Sequence, residues 1–166
     1  MEVFEEIYRL YQNDVRRFLL RLTCCDAQLT EELTQETFYQ AFLSFGRFRG
    51  RCQMRTWLCQ IAKHVYARHI RNEKKQRTIA VDYQAPAQHS LTEHLEQKEM
   101  LLAVREILAG MDEKTRAVAE YRLFSELSYA EIAKLLHIRE GTAMVIFSRA
   151  KAKIRNMLKE KYGYEI

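Results

Sequence analysis

The side chains with the densest potential chemistry lie between Arg47 and Arg77. That stretch carries ten lysines and arginines against a single acid, Glu73, and holds the only tryptophan, Trp57. Helical spacing from Met54 to Lys75 sorts it into two sides. Trp57, Leu58, Ile61, Ala62 and Val65 share one, suited to a core. Gln60, Lys63, His64, Ala67, Arg71 and Lys74 share the other. Cations fixed on a rigid element are the electrostatic footprint expected for nucleic-acid phosphates. A solvated helix face is the plainer explanation of any basic run. Here the density of charge and the interleaved Phe48, Trp57 and Tyr66, whose rings can stack on bases, favour nucleic acid.

A second candidate lies near the other end. Ser128 and Glu131 have the spacing of a capping box, S-x-x-E, which starts a helix burying Ile132, Leu135 and Leu136. A turn at His137–Glu140 leads into a longer helix, expected from Gly141 to about Tyr162 and bearing Arg149, Lys151, Lys153 and Arg155. Two short-linked helices, the second basic, form a helix-turn-helix pattern. An ordinary helical hairpin is the alternative; box, turn spacing and basic tail together favour DNA.

The remaining elements must position these two. An amphipathic helix is expected over residues 3–22, burying Phe4, Ile7, Tyr8, Tyr11, Val15, Phe18 and Leu22. Thr30 is a plausible N-cap, with Glu31 and Glu32 in the first turn, for a helix running to about Phe45. Thr34, Thr37, Phe38, Ala41, Phe42 and Phe45 point inward there. Glu32, Gln35, Glu36, Tyr39 and Leu43 line the other side. That outer stripe fits either a protein-docking face or a polar surface that includes a tyrosine. The arginine-rich turn Gly46–Arg51 joins it to the basic helix.

Residues 76–95 lack periodicity, hold the only proline, Pro86, and read as a linker containing His89 and His94. A helix then spans 95–110 with Leu95, Met100, Leu101, Val104, Ile107 and Leu108 apolar. Asp112 or Thr115 caps the next, through about Phe124. The expectation is an all-α chain of two small helical domains, 1–75 and 96–166, joined by a flexible linker, the second a helix-turn-helix domain.

Composition bounds the rest. Net charge alternates along the 166 residues, −4 over 1–46, +9 over 47–77, −5 over 78–113 and +5 over 114–166, which suggests separate partners for separate surfaces. The four cysteines, Cys24, Cys25, Cys52 and Cys59, form no CxxC pair and have no histidine at zinc-finger spacing. Free thiols in a reducing cytosol are expected, with no metal and no cofactor; a redox role for Cys24-Cys25 has no support. The acidic, amphipathic N-terminus is unlike a signal peptide, and no apolar run reaches membrane-spanning length. The sequence offers no nucleophile–base pairing, phosphate-binding glycine loop or metal-ligand cluster that would mark an enzyme.

Three strings carry a family resemblance: LTEELTQETFYQAF (29–42), FRGRCQMRTWLCQIAKHVYARHIR (48–71) and LSYAEIAKLLHIREGTAMVIFSRAKAKIR (127–155). In this order and spacing, covering almost the whole chain, they resemble the motifs of the extracytoplasmic-function (ECF) group of bacterial sigma factors. The resemblance implies a protein that binds core RNA polymerase and directs it to promoters. It resolves the open stripe: Glu32, Gln35, Glu36 and Tyr39 would dock on the clamp helices of the largest polymerase subunit. It implies that the basic helix and its loop open and hold the minus-ten element. Phe48 and the rest of the loop to Met54, with His64, would form a base pocket, and Arg49, Arg51, Arg55, Lys63, Arg68 and Arg71 would hold phosphates. Trp57 belongs to the core. The minus-thirty-five element would be read as duplex by Arg139, Glu140, Thr142, Met144, Val145, Ser148, Arg149, Lys151 and Lys153. An anti-sigma factor is implied as a further partner, with a cytoplasmic location, held at the membrane only through that partner. A freestanding helix-turn-helix regulator is the alternative function.

The chain departs from the family pattern in three places. His64 stands where a polar residue, often asparagine, is usual. His137 replaces the turn glycine, where a left-handed conformation would cost about 1–2 kcal/mol, so a different turn is expected. The recognition helix, typically GTVKSRL, reads GTAMVIF, placing Met144, Val145 and Ile146 at positions expected to be exposed. Such side chains make no bidentate bonds to purines but can touch thymine methyls. Weak or T-rich readout is expected, with affinity mainly from Arg149, Lys151 and Lys153 on phosphates. A covering partner for the apolar trio is the competing expectation.

Overall fold

The computed structural model describes residues 1–79 and 92–165. Seven α-helices form among them: α1 (Glu2–Leu22), α2 (Ala27–Ser44), α3 (Met54–Ile79), α4 (Thr92–Ala109), α5 (Glu113–Glu120), α6 (Tyr129–Leu136) and α7 (Glu140–Tyr162). A 3-10 turn, Phe45–Arg47, follows α2, and a π-helical turn, Tyr121–Ser125, extends α5. No strand occurs among the described residues.

α1, α2 and α3 pack as a three-helix unit. Val15, Phe18, Leu19 and Leu22 of α1 meet Leu33, Phe38 and Ala41 of α2 and Leu58, Ala62 and Val65 of α3, all buried. Trp57 is half-buried against this core, its ring 5.0 Å from Phe48, in keeping with a core role. Asp26, not Thr30, caps α2: its carboxylate accepts from the Leu29 amide at 3.0 Å. Thr30 is buried within the helix, its hydroxyl 2.6 Å from the Asp26 carbonyl and 2.8 Å from the Thr23 hydroxyl. A carboxylate at the true chain entry outcompetes a hydroxyl four residues on. Phe42, expected inside, is 50% exposed and meets the Phe4 ring edge to face, 5.2 Å between centroids.

α4 to α7 form the second unit around Val104, Ile107, Leu108, Val118, Leu127, Ile132, Phe147, Ile154 and Leu158. Asp112 caps α5 by accepting from the Thr115 amide at 3.0 Å. The capping box of α6 forms reciprocally: Ser128 Oγ accepts from Glu131 N, and Glu131 Oε2 accepts from Ser128 N at 2.8 Å. Leu135 and Leu136 are only partly buried, and Leu95 and Met100 lie exposed on α4. α3 runs to Ile79 and α4 begins at Thr92, so helix continues into both ends of the segment expected to be linker. The expectations for His89 and for the His94 side chain lie outside the described residues.

His137 adopts φ 54, ψ 44, and its amide bonds the Ala133 carbonyl. The left-handed turn is therefore kept without glycine, which corrects the expectation of a different turn. The exposed imidazole has no packing to lose, and the residues on either side are fixed by α6 and α7.

Candidate nucleic-acid interface

Three surfaces expected from the sequence are present, and a fourth that was not expected connects them. The first surface is the outer face of α2. Glu32 and Gln35 are exposed, Glu36 is half-buried and accepts from Gln40 Nε2 at 2.8 Å, and Tyr39 and Leu43 stand 57% and 60% exposed. With Phe42 they make an apolar strip edged by acids. A strip of this kind signals a protein partner more than a solvated face.

The second surface is α3 with its loop. Gly50, at φ 66, turns the chain between Arg49 and Arg51, both exposed. Phe48 lies across Trp57, which seats the loop on the core. Arg68 and Arg71 are exposed; Arg68 comes within 3.9 Å of Glu36, an exposed pair worth little in water. His64 projects from the same face. Partial burial lowers its pKa, and the neighbouring Lys63 and Arg71 cations lower it further. The ring is therefore neutral near pH 7, with one donor and one acceptor nitrogen, which suits a base edge better than a phosphate.

The third surface is the first half of α7. Ala143, Phe147, Ala150 and Ile154 are buried against α5 and α6. Arg139 and Glu140 at the start, then Thr142, Ser148, Arg149, Lys151 and Lys153, are exposed, as are Met144 (49%) and Val145 (50%). Ile146, expected outside, is half-buried against the core; its place on the helix is one position beyond the exposed arc. An added Cβ at Gly141 would meet nothing within 4 Å, so the entry of α7 is open to close approach.

Two members of the expected α3 set are not free. Lys63 turns toward the second unit and bonds Glu120 Oε2 at 2.7 Å, the side chains 17% and 10% exposed. Its ammonium also lies 5.7 Å from the Tyr121 ring. Arg55 donates to the Ser125 carbonyl and sits 3.6 Å from Asp14. Sequence reasoning missed this seam. The one signal for it was Glu120, an acid inside the otherwise apolar run Ala117–Tyr121, on a face that had to be covered.

The cysteines are free thiols among the described residues. Burial pushes Cys59 up to about 12 and raises Cys24, Cys25 and Cys52, so all four stay protonated and weakly nucleophilic at neutral pH. No group of three or more His, Cys, Asp or Glu side chains suited to a metal ion occurs among the described residues.

A helical unit with an acid-edged apolar strip and a cationic helix, followed by a helix-turn-helix unit, defines a protein that engages both a protein machine and DNA. The family comparisons identify the machine. Residues 7–76 match the Sigma-70 region 2 family and residues 101–154 match Sigma-70, region 4. The chain is 33% identical to the ECF RNA polymerase sigma factor SigM of Bacillus subtilis, over 91% of this chain and 92% of that protein. It is 28% identical to the RNA polymerase sigma factor YlaC of the same organism, over 95% and 93%. In fold it is similar to the sigma factor RpoE of Bartonella quintana, solved in complex with the anti-sigma factor NepR (TM-score 0.71, 20% identity, 96% of this chain and 99% of that one). CnrH, solved in complex with the cytosolic domain of CnrY, is similar as well (TM-score 0.65, 17% identity, 95% and 88%). The chain belongs to the ECF group of the sigma-70 family. It binds core RNA polymerase and directs promoter-specific transcription initiation. A freestanding helix-turn-helix regulator is not favoured, because the region 2 match spans the first unit.

Proposed function

We propose that the three surfaces divide the work of initiation residue by residue. Glu32, Gln35, Glu36 and Tyr39 dock on the clamp helices of the largest polymerase subunit, acids toward a basic partner and the apolar strip at the centre. Arg49, Arg51, Arg68 and Arg71, with Arg55 and Lys63 once released from the seam, track the phosphates of the opened minus-ten strand. Phe48 and His64 hold an unstacked base. A stacked base contributes about 1–3 kcal/mol, so a single such pocket matters to opening. Arg139, Glu140 and Thr142 at the start of α7, with Met144, Val145, Ser148, Arg149, Lys151 and Lys153, meet the minus-thirty-five duplex. The domain limits are 1–75 and 96–166. The observation that carries this division is the contiguity of the exposed Arg68 and Arg71 with a neutral histidine on one face of α3, beside an acid-edged face of α2.

An anti-sigma factor is proposed as a regulatory partner, supported by the two complexes of similar fold. No helix of the described residues is long and apolar enough to cross a membrane, so membrane association, where it occurs, would come through that partner. The working location is the cytoplasm, where polymerase and promoter meet.

Run-off transcription with core polymerase tests the division. The E32K/E36K pair should abolish co-purification with core. R68Q/R71Q should leave that association intact and reduce promoter opening, read by permanganate reactivity of unpaired thymines, at least tenfold. Retained association in the first variant, or undiminished opening in the second, would overturn the assignment.

A further inference from the structure

The seam between the two units is built from groups that duplicate the chemistry of a nucleic-acid strand. α5 ends in the π-helical turn Tyr121–Ser125, closed by Glu126 in the left-handed region at φ 58. This exit leaves the terminal carbonyls of Phe124 and Ser125 without helical partners, at the negative end of the helix. Arg21 donates to the Phe124 carbonyl at 2.8 Å, and Arg55 donates to that of Ser125. One turn earlier Glu120 meets Lys63, and Glu131 of the capping box accepts from Thr56 Oγ1 at 2.9 Å. Tyr121 stacks on Phe18 with centroids 6.1 Å apart and planes 19° apart. Carboxylates and carbonyl oxygens thus occupy the cations of α3 while an aromatic ring covers the neighbouring apolar surface.

We propose that the second unit is an internal competitor of the promoter strand: the Glu120–Ser125 segment and Glu131 bind the Arg55–Thr56–Lys63 side of α3, and a single-stranded DNA backbone displaces them from it. The seam sets charge-assisted bonds beside a shared apolar contact, and a polyanion or salt competes for the charged part of it. Lys63 is the pivot, bonded to Glu120 when the units are closed and to phosphate when they are apart. The proposal rests on the assignment of Arg55 and Lys63 to the strand-facing set, and its test separates the two.

Small-angle scattering of the full chain at low salt reads closure without polymerase or DNA. Wild type should be compact, K63E expanded, and the charge-swapped K63E/E120K compact again, with helix content unchanged by circular dichroism. E120Q, a change outside the residues assigned to polymerase or promoter, should bind a single-stranded minus-ten oligonucleotide several-fold more tightly than wild type. The oligonucleotide should also expand wild type as it binds. An extended wild type, failure of the swap to recompact the chain, or unchanged oligonucleotide affinity in E120Q would overturn the proposal. The strand-facing assignment is tested independently by R68Q/R71Q, which lie outside the seam, so its failure is recognisable on its own.

Discussion

At the scale of single residues, the chain's chemistry is set by what surrounds ordinary side chains. His64 keeps a pKa below its usual value because of partial burial and two adjacent cations. As pH falls through 6.5, the unfolded chain takes up a proton that the folded chain does not, so His64 lowers stability across the window from 6.5 down to its folded pKa. Urea midpoints at about pH 7.5 and about pH 5.5 should therefore differ less in H64Q than in wild type. Met144 and Val145 offer only apolar contact to a base pair. Replacing thymine by deoxyuridine in the upstream element should weaken binding of wild type, and M144A/V145A should lose most of that methyl sensitivity. Gel-shift titrations over the two duplexes measure both. A strict guanine or adenine requirement at those base pairs would contradict a methyl-reading role.

At the scale of elements, local rules decide most of the fold. His137 holds a left-handed backbone at the turn between α6 and α7, with its side chain in solvent. H137G should stabilise the second unit by about 1 kcal/mol, read as a raised urea midpoint with unchanged slope. Much of this layer was legible in the sequence. The Ser128–Glu131 box, the exit at Gly110 and the inward faces of α1 and α3, apart from the exposed Tyr8, follow from capping chemistry and helical period, which are local. The misplaced features depend on distant partners. Thr30 looked like a cap because Glu31 and Glu32 directly after it read as an acidic first turn. Phe42 and Ile146 each sit one position off a buried arc, an error within the width that the 3.6-residue period tolerates. In the site, the exposed acids of α2 and cations of α3 and α7 were readable from pattern. The diversion of Arg55 and Lys63 was not, because nothing near them in the chain states that Glu120 and Ser125 lie opposite.

At the scale of the whole molecule, the two small units share one continuous buried cluster and are stitched together at its edge by polar contacts. Arg105 of α4 adds one more, its guanidinium 3.9 Å from Cys24 Sγ in the turn between α1 and α2. The charged bonds across the seam are the part that salt weakens, so the units are expected to separate before either unfolds. Raised salt should accordingly lower the scattering compactness of wild type before it lowers helix content, and a simultaneous loss of both would show instead that the units fold as one. The single indole of the chain has a use in this setting. Trp57 lies under Phe48, the anchor of the loop proposed to receive an unpaired base, and no second tryptophan dilutes its emission. Its fluorescence is a label the protein already carries: when Phe48 lifts away to stack on a nucleotide, the indole gains water on that side and its spectrum moves to the red, reporting strand capture in real time without any modification of the chain.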